Sequence, residues 1–380
     1  YYTNYYNREK TSLIDLVPNT AFAVYSNTNF ATSWNSFLQT SFWKNVGAIP
    51  NYAEVNNTIR LLDSLSGSQG QLVKLLRDNN FLVSAHVTSR ESSDFIFYFD
   101  LNDPANSETG IRLLEHFRTT QKGETTRTSQ GKTIYVIEGK RDQSFSYIVE
   151  DNLFAGTFTS FLIEDVVRNI NSGFETNFLT SNPELISLPS SANDEGDLLI
   201  DYKLLASYLG TFTGTSNRFV ADIAELLQAG RFDVTVSDND IVLNGFSLPA
   251  PSSSINVFNG QQPAGFSLRN MVSNRTALTY HIGVSNPLLW HDALTKYRSD
   301  RNDPFLDTLQ KYSDSYDFNV ERVVNWLGDE IAVSTLESID QESLDKILLI
   351  KSADVTDALN QLNQLTDRVN NASGDTLYYE

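Results

Sequence analysis

The chain has 380 residues, 40% hydrophobic and 20% charged, which is enough for two or three domains and too apolar for a disordered polymer. Its 28 Lys and Arg against 47 Asp and Glu leave a formal charge of −19, the wrong sign for nucleic-acid phosphates or an anionic membrane surface. Cysteine is absent, which removes disulfides, thiolate nucleophiles and Cys-based metal sites.

Residues 1–19 begin YYTNYYNREK, without an initiator methionine. Tyrosine rings favour a membrane interface, so a signal peptide or anchor is expected upstream of Tyr1. No apolar run in the chain reaches the length a membrane-crossing helix needs. TAFAVYS (20–26) reads as a strand. Phe30, Trp34, Phe37 and Leu38 then share a helical face that Asn27 or Asn29 can cap. Val55, Ile59, Leu62 and Leu65 form a second helical stripe ending at Gly67, and 72–76 a short third piece.

Strands follow at 80–89 and 93–101, joined by RESS as a hairpin. A helix over 107–117 aligns Ile111, Leu114 and Phe117. Two paired strands, 133–139 and 145–151, lead into a helix over 161–170 with Leu162, Val166 and Ile170 on one side. The polar stretch 173–195 reads as a connection. Beyond it GDLLIDYKLLASYLG passes from strand to helix, and FVADIAELLQAG predicts an amphipathic helix ending at Gly230. RFDVTVSDNDIVLNGFSL predicts a hairpin turning at SDND, and 249–265 a linker.

The opening phrase then recurs. SLRNMVSNRTALTY matches SLIDLVPNTAFAVY, with Arg275 inserted, and the phrase TAFAVYSNTNFATSW (20–34) returns as TALTYHIGVSNPLLW (276–290). His281 takes the place of Tyr25, which predicts a packing role, and Trp290 the place of Trp34. LGDEIAVSTLES (327–338) aligns with DNNFLVSAHVTS (78–89), and DKILLIKS (345–352) with SDFIFYFD (93–100). A helix carrying Val355, Leu359, Leu362 and Val369 follows, and TLYYE (376–380) falls where TIYVI falls in the first copy. The second copy stops after about 105 residues against roughly 150 in the first, so the native protein is expected to continue past Glu380.

These readings give an α+β fold: duplicated units of mainly antiparallel sheet packed with amphipathic helices, each pinned by an indole. The expected organisation is an N-terminal segment 1–19 behind an anchor, a first α+β repeat 20–172, a shortened strand–helix–hairpin unit 196–248, and a second, truncated repeat 266–380.

No motif carries chemistry. His86 and His281 fall in strands, His116 and His291 in helices, none at metal-ligand spacing. There is no G-x-S-x-G elbow, Walker loop or G-x-G-x-x-G. Asp329 and Glu330 should point to opposite faces of a strand and mark its solvated start; Asp238 and Asp240 read as turn residues. DLNDPANSE (100–108) has calcium-binding oxygens, with Asp100 and Asp103 the acids, but lacks the Gly and Glu of an EF-hand loop. Trp34, Trp43, Trp290 and Trp326 sit on apolar faces and read as core rather than a ligand platform. Sequons occur at Asn56, Asn274 and Asn371, relevant only to a eukaryotic secretory route. No residue is assigned a catalytic, cofactor-binding or metal-ligating role, and no cofactor is expected.

The P-x-T-A opening (Pro18–Ala21) and the L-G-(D/N)-E-(I/V)-A strand (Leu327–Ala332) resemble loosely recurring features of membrane-anchored envelope proteins of Bacteroidetes-type bacteria, a family of unknown role. The first copy departs from the second feature, reading LLRDNNFLV there. The resemblance covers most of residues 11–380 and implies an extracytoplasmic location, in the periplasm or envelope, with no catalytic residues. The function expected is a non-enzymatic structural or protein-interaction module of the bacterial cell envelope, whose partner is another envelope protein or a small ligand. The alternatives are a ligand-binding protein using a cleft between the repeats, and a hydrolase with scattered acidic catalysts.

Overall fold

In the computed structural model, residues 11–27, 36–37, 39–46, 81–89, 92–100, 124–138, 144–189, 196–213, 218–337 and 344–373 are described. The chain forms two compact units, Tyr1–Pro251 and Ser252–Glu380. The helices predicted over 55–65, 72–76 and 107–117, the Trp34 turn and TLYYE lie outside the described residues.

The first unit is built on β1 (Ala21–Asn27), β2 (Phe81–Val87), β3 (Ser93–Asp100), β4 (Glu124–Ser129), β5 (Lys132–Glu138), β6 (Ser144–Glu150), β7 (Leu153–Thr157), β8 (Asp197–Asp201), β9 (Leu227–Val236) and β10 (Ile241–Pro249). They make one sheet in the order β10-β9-β8-β1-β2-β3-β7-β6-β5-β4, with antiparallel neighbours throughout. The strands of 197–249 therefore extend the same sheet as those of 21–157. Two tight hairpins are set by paired left-handed residues, Gln130-Gly131 (φ 47° and 82°) between β4 and β5 and Asp151-Asn152 (φ 49° and 62°) between β6 and β7. That is the two-residue turn whose twist matches the strands it joins.

Helices α1 (Ser41–Val46), α2 (Ser160–Asn171), α3 (Phe178–Ser181), α4 (Tyr202–Thr213) and α5 (Arg218–Leu226) complete the unit. Alternation along each strand sends odd and even positions to opposite faces. On one face Leu82, Ile96, Tyr98, Ile148 and Ala155 join Leu162, Ile163, Val166, Val167 and Ile170 of α2 in a single buried cluster. Leu16 and Val17, from the 3₁₀ turn Leu13–Leu16 and its cap, close the same cluster. Each of these five buried side chains of α2 contributes about 1.5–3 kcal/mol, while Phe161 of the same helix is 48% exposed. On the other face Phe81, Phe97, Phe99, Phe145 and Phe154 are buried. Gly156 makes room there, since a Cβ would come within 2.4 Å of the Phe145 ring. The amphipathic helix predicted to end at Gly230 ends at Leu226: β9 begins at Leu227, and Gly230 is a strand residue paired with Ile200 and Ser247.

The second unit holds β11 (Thr276–Gly283), α6 (Pro287–Ser299), α7 (Pro304–Tyr316), α8 (Val320–Trp326), β12 (Leu327–Glu337), β13 (Leu344–Ser352) and α9 (Val355–Ser373). Three helices start on side-chain caps: Asn286 accepts from Leu289 N, Asp303 from Phe305 N and Asn319 from Arg322 N. The sheet runs β11-β12-β13, antiparallel.

This strand order repeats β1-β2-β3, and so does the register. The aligned phrases require Thr279 opposite Ser334 if Ala23 lies opposite Ala85, and both pairs occur. The match holds for five consecutive pairs between the first two strands, ending at Asn27↔Phe81 and Gly283↔Glu330. It holds for six more between the second and third, from Leu82↔Tyr98 and Ile331↔Ile350 to Val87↔Ser93 and Leu336↔Asp345. Both first strands carry a bulge near their start, displaced by one residue between copies. A one-residue slip would exchange every core-facing side chain for an outward one, so agreement over this length is a demanding one.

Candidate functional site

Among the described residues, polar chemistry concentrates at three places. The first lies inside the first unit. Strand alternation puts Ser84 and His86 on one face of β2, two residues apart. His86 Nε2 lies 2.7 Å from Ser84 Oγ, and Ser84 Oγ lies 3.0 Å from Tyr98 OH. His86 Nδ1 meets Thr20 Oγ1 at 3.0 Å. Burial pushes His86 down to about 3, outweighing its bond to Thr20, and pushes Tyr98 up despite its bond to Ser84. A serine beside a neutral imidazole has the spacing of a nucleophile and its base. Here, however, Ser84, His86 and Tyr98 have no exposed surface. The chain of bonds satisfies buried polar atoms and offers a substrate no approach.

The second cluster corrects a sequence expectation. Glu330 is not at a solvated strand start: its side chain is 1% exposed. Ser267 Oγ and Lys351 Nζ donate to its Oε1, and Leu268 N donates to Oε2 at 3.1 Å. Burial alone would raise its pKa, but these donors more than compensate and hold it at about 2. Asp329 is partly exposed and pairs with the same Lys351 Nζ at 2.8 Å, so one ammonium serves both carboxylates. Bonds to Asp329 and then Glu330 raise Lys351 in turn. His281 has the predicted packing role, stacked on Phe266 at 4.2 Å. Its Nε2 also sits 3.3 Å from Glu330 Oε2, out of hydrogen-bonding alignment. Ser267 and Leu268 lie more than sixty residues before Glu330, so strand periodicity could not reveal them; the usable signal was a carboxylate aligned with Phe81.

Asp238 is also more than a turn residue. Its carboxylate accepts from Ser41 N and Ser41 Oγ, both at 2.9 Å, capping α1 from the distant hairpin. Those bonds hold its pKa below the usual range. His291 lies beside Asp292, with Nδ1 3.7 Å from Oδ1. Trp326 is buried as expected and Trp290 half-buried, whereas Trp34, His116 and Asp103 lie outside the described residues. No group of three or more His, Asp or Glu poised for a metal occurs among the described residues. Nor does any described helix have the length and apolarity to cross a membrane.

The third place is apolar. On one face of the β11-β12-β13 sheet Tyr280 lies opposite Val333, and Val333 opposite Leu348. Tyr280 is 65% exposed, Leu348 59% and Leu278, on the same face, 48%. On the opposite face Ala332 and Ser334 are buried, at 1% and 2%, while Ile347, opposite Ser334, is 41% exposed. The equivalent of the open face in the first unit is the one that α2 and the Leu13–Leu16 turn bury. There Val24 and Ile96 stand in the positions of Tyr280 and Leu348, at 1% and 0% exposure. The chain matches no family model, no curated protein and no solved structure.

Proposed function

We propose that this chain is a non-enzymatic structural or protein-interaction module that works outside the cytoplasm in a bacterial cell envelope. One observation carries the reading: the apolar ladder Leu278, Tyr280, Val333 and Leu348, exposed on a sheet whose other face buries Ala332 and Ser334. A contiguous apolar patch of roughly 500 Å² is at the upper end of what a monomer tolerates without using it. The net charge of −19 supports the same reading, since it keeps the rest of the surface soluble and leaves a mainly apolar patch as the place where association is least opposed. The sequence resemblance supports the envelope location.

The test is a photo-crosslinking residue at position 348 of the full-length protein, expressed in its own cells and followed through fractionation. A discrete higher-mass adduct in the envelope fraction is the expected result. Recovery of the protein in the cytosol, or crosslinking to nothing above background, would count against the proposal.

A further inference from the structure

We infer that residues 261–268 form a strap across one end of the second unit's sheet, and that protonation of His281 fastens it. The strap meets the face opposite the exposed ladder, so the inference is independent of the interaction reading above. Its sequence, QQPAGFSL, has no alternation, and Pro263 and Gly265 suit it to irregular backbone rather than a ladder. Among the described residues no backbone–backbone hydrogen bond ties 262–268 to the sheet; side chains hold it instead.

The fastenings run from one end to the other. Asn286 N donates to Gln261 Oε1 and Gln262 N to Ser285 Oγ, both at 2.8 Å. At Gly283 the strap lies directly on β11, since a Cβ there would come within 2.7 Å of the Ala264 Cβ. The far end rests on ionisable groups: Phe266 stacks on His281, and Ser267 and Leu268 both donate to Glu330.

The groups around His281 favour the imidazolium while the strap is down. Glu330 of β12 lies 3.3 Å from Nε2, and Lys351 of β13 sits on the carboxylate's other oxygen, shared with Asp329 of β12. The strap itself carries no ionisable side chain, and among the described residues no further charged group pairs with these four. Lys351 opposes a second cation, yet two carboxylates against one ammonium leave a net negative charge for the imidazolium to cancel. Neutral His281 gains little from Glu330, because Nε2 has no hydrogen-bond partner, whereas Coulomb attraction needs no such alignment. The Phe266 ring, 4.2 Å away, adds a cation–π contribution. Lifting the strap removes Phe266 and lets water reach Glu330, which weakens both. By linkage, a closed strap that favours the imidazolium is itself favoured once the imidazolium forms. The side chain is 20% exposed, so solvent can protonate it, and histidine changes charge between pH 5 and 8. Glu330, held at about 2, stays ionised throughout that range. The strap is therefore fast in its acid half and looser in its alkaline half.

The probe is hydrogen exchange at the Leu268 amide, which donates to Glu330, followed by NMR in the intact protein and corrected for the intrinsic effect of pH. Relative to the Val333 amide inside the ladder, its protection should fall about fivefold or more between pH 5.5 and pH 8. His281→Asn, which cannot take the charge, should remove that dependence, with circular dichroism verifying the fold. In the unsubstituted protein the His281 ring signals and the Leu268 exchange should also titrate with one midpoint, a readout that needs no variant. Equal protection of Leu268 at the two pH values, the same dependence in His281→Asn, or a midpoint apart from that of the His281 ring overturns the inference.

Discussion

The two ladders place very different chemistry on the same backbone. At one end of β1-β2-β3 the paired residues are Phe81 and Phe99, ring centroids 5.0 Å apart, with Tyr25 on the same face. The aligned positions in the second unit hold Glu330, Lys351 and His281. An aromatic stack needs only exclusion from water, whereas a buried carboxylate needs donors, and these come from a segment just before β11, Ser267 and Leu268. Similarly, Thr20 bonds His86, but its counterpart Thr276 faces a copy in which His86 has become Thr335, and Thr276 Oγ1 is left without a partner. Register is thus preserved while side-chain chemistry is exchanged in sets, because the ladder fixes which residues meet and each set must satisfy itself.

The largest effect should come from the buried polar network of the first ladder. His86→Ala removes a fully buried ring and leaves Ser84 and Thr20 each short of a partner, an expected loss of about 3–5 kcal/mol in urea unfolding of the first unit. Thr335→Ala, the matching change in the second, should cost under about 1 kcal/mol. Equal costs would break the correspondence.

Exchanging the second unit's ion cluster for the first unit's aromatic pair should show strong coupling. Glu330→Phe alone strands the donors of Ser267 and Leu268, and Lys351→Phe alone removes one donor from a buried carboxylate. Each should lower the thermal midpoint by several degrees, and the double substitution by less than the sum of the two, since Phe meets Phe at this register in the first unit. Strict additivity would mean that the two positions do not meet.

Acid sharpens the comparison further. The folded pKa of His86, about 3, lies below its ordinary 6.5, so its contribution is present above pH 6.5 and lost as pH falls from there toward 3. Glu330 is likewise depressed, from 4.5 to about 2, so its contribution is complete above about 4.5 and lost between there and 2. Hydrogen exchange followed from pH 7 to pH 3 should therefore show protection falling first in the first unit. Simultaneous loss, or loss in the second unit at pH 6, would contradict these assignments.

Much of this fold could be read from the sequence. β2, β3, β5, β6 and the β9–β10 hairpin announce themselves by alternation, and the repeated phrases carried enough information to set strand order and register across the second unit. β4 was missed because ETTRTS has no apolar face to alternate, and its hairpin turns on Gln-Gly rather than the stronger Asn-Gly signal. Glu330 was misread because alternation tells which face a residue takes but not what covers that face. The same gap hid the open ladder, where Leu278, Tyr280 and Leu348 look like ordinary core residues until the absence of a cover among the described residues is seen. Asp238 shows the remaining limit, since a hairpin turn caps a helix some two hundred residues earlier in the chain.

Hydroxyl-radical footprinting of the intact protein tests the difference between the two ladders most directly. Met271, Tyr280 and Leu348 should be modified at rates near those of an unfolded reference, while Tyr98, Ile96 and Leu16 remain protected. Protection of Tyr280 and Leu348 comparable to that of Tyr98 would mean that the second face is already closed, and the account of it as a binding surface would be wrong.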